Sequence, residues 1–438
     1  MGVVGIILAL AVFAVVCWKG WNAYIGALVA SLVAIVLNGM PVLQTFQEAF
    51  IPGVTGGFAA LFLVFFFGTI MGKIYATTGA ASSIAMGLNK IFSKDGQSQL
   101  VKDLIVIIIV DIIGVGCAYG GINVIVLPVA LYPLVMSLME EADIPKKFVV
   151  GIVLSAIATA GMTGPGTPQV QNIIPSQILG TTPTAALIPG IICLIFTLVV
   201  NALYFLWAFK KARARGEHFA YGENDIKFDK SMKLPNPFVS AIPLLVVFIL
   251  FNFVKLGLEA SLLIGTLLCC ILFYKNLKGW NGMKKVLNDG ALQSLGYVLA
   301  INFMGGFGSV VKATPAFGQL LDWVSTLNGN ALVVGVIATA IICGFTGSAS
   351  GGLGLAVPII APLFAAACNP AALHRCMSLA SSSLDTLPFN GGFLMFLGLT
   401  GLTHKEAYPS VAVTTVLVTT LSTALCIILC LAFPGMVY

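Results

Sequence analysis

A chain of 438 residues that is 59% hydrophobic and only 9% charged, with a mean hydropathy of +1.03, is too apolar for a water-soluble globule. Its net charge of +6 comes from short clusters at the ends of apolar runs, with no basic face interleaved with aromatics, which argues against a nucleic-acid partner. Among the ten cysteines no Cys-x-x-Cys and no Cys/His zinc spacing occurs, so no metal is expected; only Cys368 and Cys376 lie near one loop where a pair could close.

In chain order, apolar runs at 3–18, 22–38 and 57–77 are read as membrane spans. No Lys or Arg precedes the first run and Lys19 follows it, so the N-terminus is expected outside the cytoplasm, without a cleaved signal. A pair of apolar arms at 103–138 follows, then a run at 147–180 interrupted around 163–171, and a span at 186–209. Residues 210–235 form the longest hydrophilic stretch, expected as a solvated cytoplasmic linker. Beyond it come spans at 236–253, 258–274 and 295–312, short arms at 331–367, an interrupted run at 373–401 and a last span at 408–434. Segments 42–50 and 280–293 read as short amphipathic helices at the membrane surface.

The second half repeats the first. Gly68-Thr-Ile-Met-Gly72 with Ala76-Thr77 is answered by Gly305-Gly-Phe-Gly308 with Ala313-Thr314. Cys117-Ala-Tyr-Gly-Gly-Ile-Asn123 is answered by Ser348-Ala-Ser-Gly-Gly-Leu-Gly354, and Thr163–Asn172 by Ser381–Asn390. Arms of about a dozen residues are too short to cross at ~1.5 Å per residue, so the pair around Gly347–Gly352 reads as a re-entrant hairpin. The longer first pair, with its tip at Gly116–Gly121, fits either a hairpin or two full spans. The expected fold is an all-α polytopic membrane protein of two inverted repeats, 1–209 and 236–438, joined by linker 210–235. Each repeat has about five crossings, one of them interrupted, plus one hairpin. With the linker in the cytoplasm, 19 of the 22 Lys and Arg fall inside and only Lys255, Lys312 and Arg375 fall outside, as the positive-inside rule requires. Both termini are then outside, in a cell (inner) membrane.

Four Gly/Pro-rich breaks fall inside apolar segments, at 116–123, 163–171, 347–354 and 381–391. Irregular backbone at membrane depth survives only where protein or a water-filled cavity satisfies it. Helices beginning after a break present free N–H groups to an anion. The candidate substrate-binding residues are therefore Gly120, Gly121 and Asn123 in the first break, and Thr163, Gly166, Thr167, Gln169 and Asn172 in the second. The third contributes Ser348, Ser350, Gly351 and Gly352, and the fourth Ser382, Ser383, Thr386 and Asn390. Small residues in such runs can equally serve helix packing, the reading given to Gly68, Gly72, Gly305 and Gly308. No Lys or Arg lies in the breaks, so dipoles and hydrogen bonds are expected to hold an anion. Asp385 and Asp111 are the acidic residues placed well inside the membrane, where a charge costs roughly 2.5–3.5 kcal/mol. Asp385, inside a break, is the candidate for cation coupling; Asp111 either shares that role or bonds a helix end. His374 and Arg375 are expected at the outer surface, and His404, Lys405 and Glu406 at a cytoplasmic span end.

With these residues in view, the chain resembles the gluconate:proton symporter (GntP-type) permeases over essentially its whole length, and most the hydroxybutyrate or short-carboxylate branch. The resemblance rests on Gly164-Pro-Gly-Thr-Pro-Gln-Val-Gln-Asn-Ile-Ile-Pro175 with Gly180-Thr-Thr-Pro183, on Ser348-Ala-Ser-Gly-Gly352, on Leu384-Asp-Thr-Leu-Pro388 with Asn390-Gly391, and on Gly401–Glu406. The sequence departs from the pattern at Phe389, where that branch is expected to carry His, and at Ser382-Ser383, where Gly-Gly is expected. The resemblance implies an elevator-type homodimer, with a scaffold from 1–77 and 236–312 and a mobile transport domain from 100–185 and 331–405. It further implies symport of a small carboxylate with a cation, H⁺ before Na⁺, and no other cofactor. A passive anion channel or an intramembrane enzyme is the alternative. Against an enzyme, His218, His374 and His404 all fall in or beside loops, so no catalytic Ser/His pair is expected at membrane depth.

Overall fold

The computed structural model describes residues 2–437 except 20, 22, 81–82, 85–86, 88–95, 120–126, 168, 223–224, 226–233, 255 and 327–328. Among the described residues every regular element is a helix. The first half runs α1 (Gly2–Trp18), α2 (Ala23–Leu37), α3 (Val42–Thr45), α4 (Ile51–Thr78), α5 (Gln99–Tyr119), α6 (Leu127–Glu141), α7 (Val149–Ser155), α8 (Val170–Leu179) and α9 (Leu187–Arg213). The second runs α10 (Pro237–Asn252), α11 (Leu258–Leu272), α12 (Gly279–Ala313), α13 (Pro315–Thr326), α14 (Ala331–Thr346), α15 (Ala349–Phe364), α16 (Pro370–Ser381), α17 (Gly391–Thr400), α18 (His404–Val411) and α19 (Val418–Ala432).

The outer faces are apolar. Ile188, Ile195, Leu203 and Trp207 of α9 and Leu245 and Ile249 of α10 all stand exposed, a surface that hydrocarbon solvates and water does not. The spans Leu187–Arg213 and His404–Ala432 are each long and apolar enough to cross a bilayer, with hydropathies of 2.4 and 2.3. Two apolar cores lie behind these faces. One is built from α4, α10, α11 and α12 around Ile74, Tyr75, Val247, Cys269 and Phe273. The other joins α1, α2, α5, α6, α7, α9, α14, α15, α16 and the end of α12 with the last spans. The long helices α4 and α12 pack closely: a Cβ at Gly53 would stand 2.8 Å from the Gly305 carbonyl oxygen and 2.9 Å from the Gly306 Cα. Small residues here let the two backbones touch.

The structure departs from the sequence reading in several places. The segment 280–293 is not a separate surface helix; it continues into the span as the single 35-residue α12, because nothing between 279 and 313 demands a break. Segment 42–50 likewise runs through a wide π turn, Phe46–Phe50, into α4. Helix α13 fills the stretch between the span at 295–312 and the arms at 331–367. In the first pair of arms, Gly116–Tyr119 of the tip continue α5 as helix, and residues 120–126 before α6 lie outside the described residues. So do Lys90, Lys94, Lys227, Lys230, Lys233 and Lys255.

The linker is not simply solvated. Asp225 is nearly buried and pairs with Lys146 at 2.5 Å, and Tyr132 donates to its other oxygen at 2.5 Å. Glu217 pairs with Lys147, His218 meets Asp143 at 2.7 Å, and Arg213 forks onto Asp103. These contacts strap 213–225 onto the ends of α5, α6 and α7.

Candidate functional site

The interrupted runs end where backbone chemistry requires it. Helix α8 starts after an extended Gln169 and stops at Gly180, φ +67°. Helix α17 starts after Asn390, whose side chain accepts from Phe393 N at 2.8 Å, and stops at Gly401, φ +67°. Both are 10 residues long. Helix α14 stops at Gly347, φ +60°, a backbone angle glycine adopts without strain. Ser348 then caps α15 by accepting from Gly351 N at 3.1 Å.

The two asparagines bind their breaks in the same way. Asn172 Nδ2 donates to the Thr167 carbonyl, five residues back, at 3.3 Å, and also to the Gly164 carbonyl at 2.9 Å. Asn390 Nδ2 donates to the Asp385 carbonyl, also five back, at 2.9 Å, and crosses to the Gly347 carbonyl of the hairpin tip at 3.1 Å. Gln169 ties its break to the first arm by donating to the Ala118 carbonyl at 2.9 Å.

A cavity of about 360 Å³ opens between these elements. Of the sequence candidates, Gln169, Ser348, Ser350, Gly351, Asp385, Thr386 and Asn390 line it, together with Gln171, Phe389 and Lys312. Asp385 is 4% exposed, and its Oδ1 has no hydrogen-bond partner; the backbone amides of Ala349 and Thr386 act on the same carboxylate. The Oε1 of Gln171, buried at 3% exposure, is likewise unpartnered. A buried polar atom left bare in a cavity wall costs free energy unless water or a ligand completes it.

The remaining candidates stand apart from this cavity. Ser382 and Ser383 turn back to the carbonyls of Leu379 and Ala380 at 3.1 and 2.6 Å. Thr163, Gly166, Thr167 and Asn172 form a cage beside it, and Gly352 packs on Cys343. Asp111 is half-buried in α5 and does not line the cavity. Gly120, Gly121 and Asn123 lie outside the described residues.

The cage holds an unexpected occupant. Arg375 and His374 are not at the surface; both are fully buried. The Arg375 guanidinium donates to the carbonyls of Thr163 at 2.8 Å, Pro183 at 2.7 Å and Ala185 at 3.0 Å, and to Asn172 Oδ1 at 2.7 Å. Gly190 leaves it room, since a Cβ there would stand 3.1 Å from the arginine Nε. His374 Nδ1 meets Thr181 Oγ1 at 2.6 Å. His404 is not merely a span-end marker either: buried, it reaches the Pro388 carbonyl at 3.0 Å beside Phe389. A lone Arg in an apolar run is the one local signal of buried acceptors nearby.

The pairing considered for Cys368 and Cys376 does not form. Cys376 Sγ lies 3.5 Å from Cys426, while Cys368 bonds its own helix at Phe364. Cys376, Cys426 and Cys430 bring their sulfurs within 4.8 Å of one another, the spacing of a soft-metal set. They are buried in the apolar core, away from the cavity, where thiols pack as small hydrophobes.

A helical chain with apolar outer faces, broken helices and a polar cavity at the breaks defines a multi-pass membrane transporter. The model of the GntP family permeases matches residues 1–432, and the chain belongs to that family. It is 29% identical, over 476 aligned positions, to a protein of Bacillus subtilis (strain 168) described as the uncharacterized transporter YxjC, covering 96% of this chain and 97% of that one. Among solved structures, the Alcanivorax borkumensis YdaH transporter covers 90% of each chain at 15% identity and a TM-score of 0.37. The chain is a transporter and not an enzyme.

Proposed function

We propose that this permease is a secondary active symporter that carries a small organic monocarboxylate, such as gluconate, hydroxybutyrate or a related hydroxy acid, together with H⁺. The observation that carries the reading is Asp385: a buried carboxylate with an unpartnered oxygen, facing a cavity whose other polar lining is amides, hydroxyls, a helix start and Lys312. A proton neutralises that carboxylate, and the loaded site then crosses without bare negative charge. The volume of about 360 Å³ suits a small acid.

The same reading treats the halves as inverted repeats of an elevator, working as a homodimer. The five-back bonds of Asn172 and Asn390, and the equal 10-residue lengths of α8, which contains Asn172, and α17, which follows Asn390, support the repeat. The separate core of α4, α10, α11 and α12 around Ile74, Val247 and Phe273 supports part of a scaffold from 1–77 and 236–312, while α1, α2 and the end of α12 pack into the core of the proposed transport domain, 100–185 and 331–405.

Uptake into proteoliposomes tests it. An inward pH gradient should drive accumulation of at least one of gluconate, 3-hydroxybutyrate and lactate, and a Na⁺ gradient at equal pH should not. Accumulation under Na⁺ alone would reassign the coupling ion. No accumulation under either gradient would end the symport reading.

A further inference from the structure

The cavity wall carries two charged side chains, and they come from different parts of the molecule. Asp385 belongs to the break before α17, whereas Lys312 sits in the last turn of α12. The ammonium faces the start of α15: Lys312 Nζ lies 4.0 Å from where a Cβ of Gly351 would stand. Lys312 is exposed toward this space and makes no ion pair among the described residues. The positive end of a 16-residue helix, capped by Ser348, points the same way. Across the cavity the buried Gln171 Oε1 lacks a donor.

We infer that Lys312 anchors the substrate carboxylate against the start of α15, in one transport state only. This rests on the carboxylate symport reading above. Once Asp385 is neutralised by the coupled cation, Lys312 leaves the cavity with one positive charge, matched to one carboxylate. The unpaired Gln171 oxygen then accepts from a substrate hydroxyl, which favours hydroxy acids over plain short fatty acids. Lys312 rides on α12, which packs against α4, while α15, α8 and the Asp385 break supply the polar wall it faces. Movement of those elements past α12 separates the carboxylate from its counter-charge, weakening binding where release is needed. The offset of 237 that relates Gly305 to Gly68 puts Tyr75 at the first-half position matching Lys312. Tyr75 is buried and donates to the Ser240 carbonyl at 2.5 Å, so the first half supplies no second anchor from this position.

The test uses purified full-length protein and thermal shift with gluconate, 3-hydroxybutyrate and lactate beside their amides. Wild type should be stabilised by an acid and not by its amide. K312M should keep the ligand-free Tm, because the side chain is exposed, and lose at least tenfold in affinity for the acid; K312R should stay within about threefold. In proteoliposomes of defined orientation, K312M should raise KM at least tenfold at one face and leave the other within about twofold. Unchanged acid affinity in K312M overturns the anchor while leaving the symport reading in place. An equal rise at both faces overturns its restriction to one state. If no acid stabilises wild type, the anchor falls together with the carboxylate reading.

Discussion

The guanidinium of Arg375 donates to the side-chain oxygen of Asn172 at 2.7 Å, so a cation supplied by the second half of the chain sits in the break of the first. Asn390 occupies the equivalent place in the other break, where it donates to the backbone carbonyl of Asp385, and the Asp385 carboxylate lines the cavity. One break is permanently filled by a side chain; the other holds a carboxylate whose Oδ1 has no partner. Two breaks of similar backbone thus differ in chemistry, and under the proposed symport the second is the one that exchanges a cation.

Truncating Arg375 should therefore be a folding defect before it is a transport defect. Arg375→Ala bares four acceptors, the carbonyls of Thr163, Pro183 and Ala185 and the side chain of Asn172, at about 1–3 kcal/mol for each that water cannot reach. Arg375→Lys keeps the charge but loses the planar fork. Both variants should unfold at clearly lower temperature in detergent, with Ala the worse. A wild-type Tm for Arg375→Ala would mean the cage is solvated and the arginine dispensable.

Asn390 performs two jobs that substitutions can separate. Its oxygen caps α17 and its amide group ties Asp385 to the hairpin tip at Gly347. Asn390→Ala should cost about 1 kcal/mol for the cap and more for the two carbonyls left bare. Asn390→Asp keeps the cap but loses both donors and sets a second carboxylate near Asp385, so it should damage transport more than its thermal stability suggests. Comparing uptake and Tm for the two variants checks this; a change in Tm alone would make Asn390 a cap and nothing more.

Much of this was legible from the sequence. Gly, Pro and hydroxyl clusters inside apolar runs marked the breaks, because those residues have few other reasons to interrupt a membrane helix, and Ser348, Asp385 and Asn390 fall where the pattern placed them. What the sequence hid is tertiary. Arg375 reads locally as a surface charge, and only the approach of the 163–172 segment and of Pro183 and Ala185 supplies its acceptors. Lys312 ends an apolar helix and reads as an interfacial anchor until α15 is brought opposite it. Ser382 and Ser383 look like ligands by type, yet a serine in a last helical turn can satisfy itself on carbonyls three residues back. The linker's charges looked solvated because their partners, Lys146 and Asp143, lie far away in sequence.

The linker strap should respond to acid through Asp143. Burial pushes its carboxyl up, but the hydrogen bonds from His218 and from Phe219 N outweigh that and hold it below the ordinary 3.8. A group depressed in the folded state contributes stability above its unfolded value and loses it as pH falls through the folded one. Amide exchange at Phe219 should thus stay protected from about pH 7 down to about pH 4 and open only below. Asp143→Asn keeps an acceptor, tolerates the residue's φ of +51°, and should remove the acid step. Opening well above pH 4 that persists in Asp143→Asn would assign the transition to another group.

Asp385 carries the sharpest prediction about coupling. Its carboxylate is buried beside the hairpin tip with one oxygen unpartnered, a setting in which bare charge is costly and a bound proton or cation removes the cost. Under the proposed symport, the empty, unneutralised site meets a barrier to crossing, and that barrier ties cation movement to substrate movement. Asp385→Asn is close in size and permanently neutral. It should fold with a Tm near or above wild type, lose gradient-driven accumulation, and retain substrate exchange between equally loaded compartments. The pH dependence of exchange should flatten in the same variant. If Asp385→Asn still concentrates substrate against a gradient with an unchanged pH profile, coupling lies elsewhere, and Asp111 of α5 becomes the residue to substitute next.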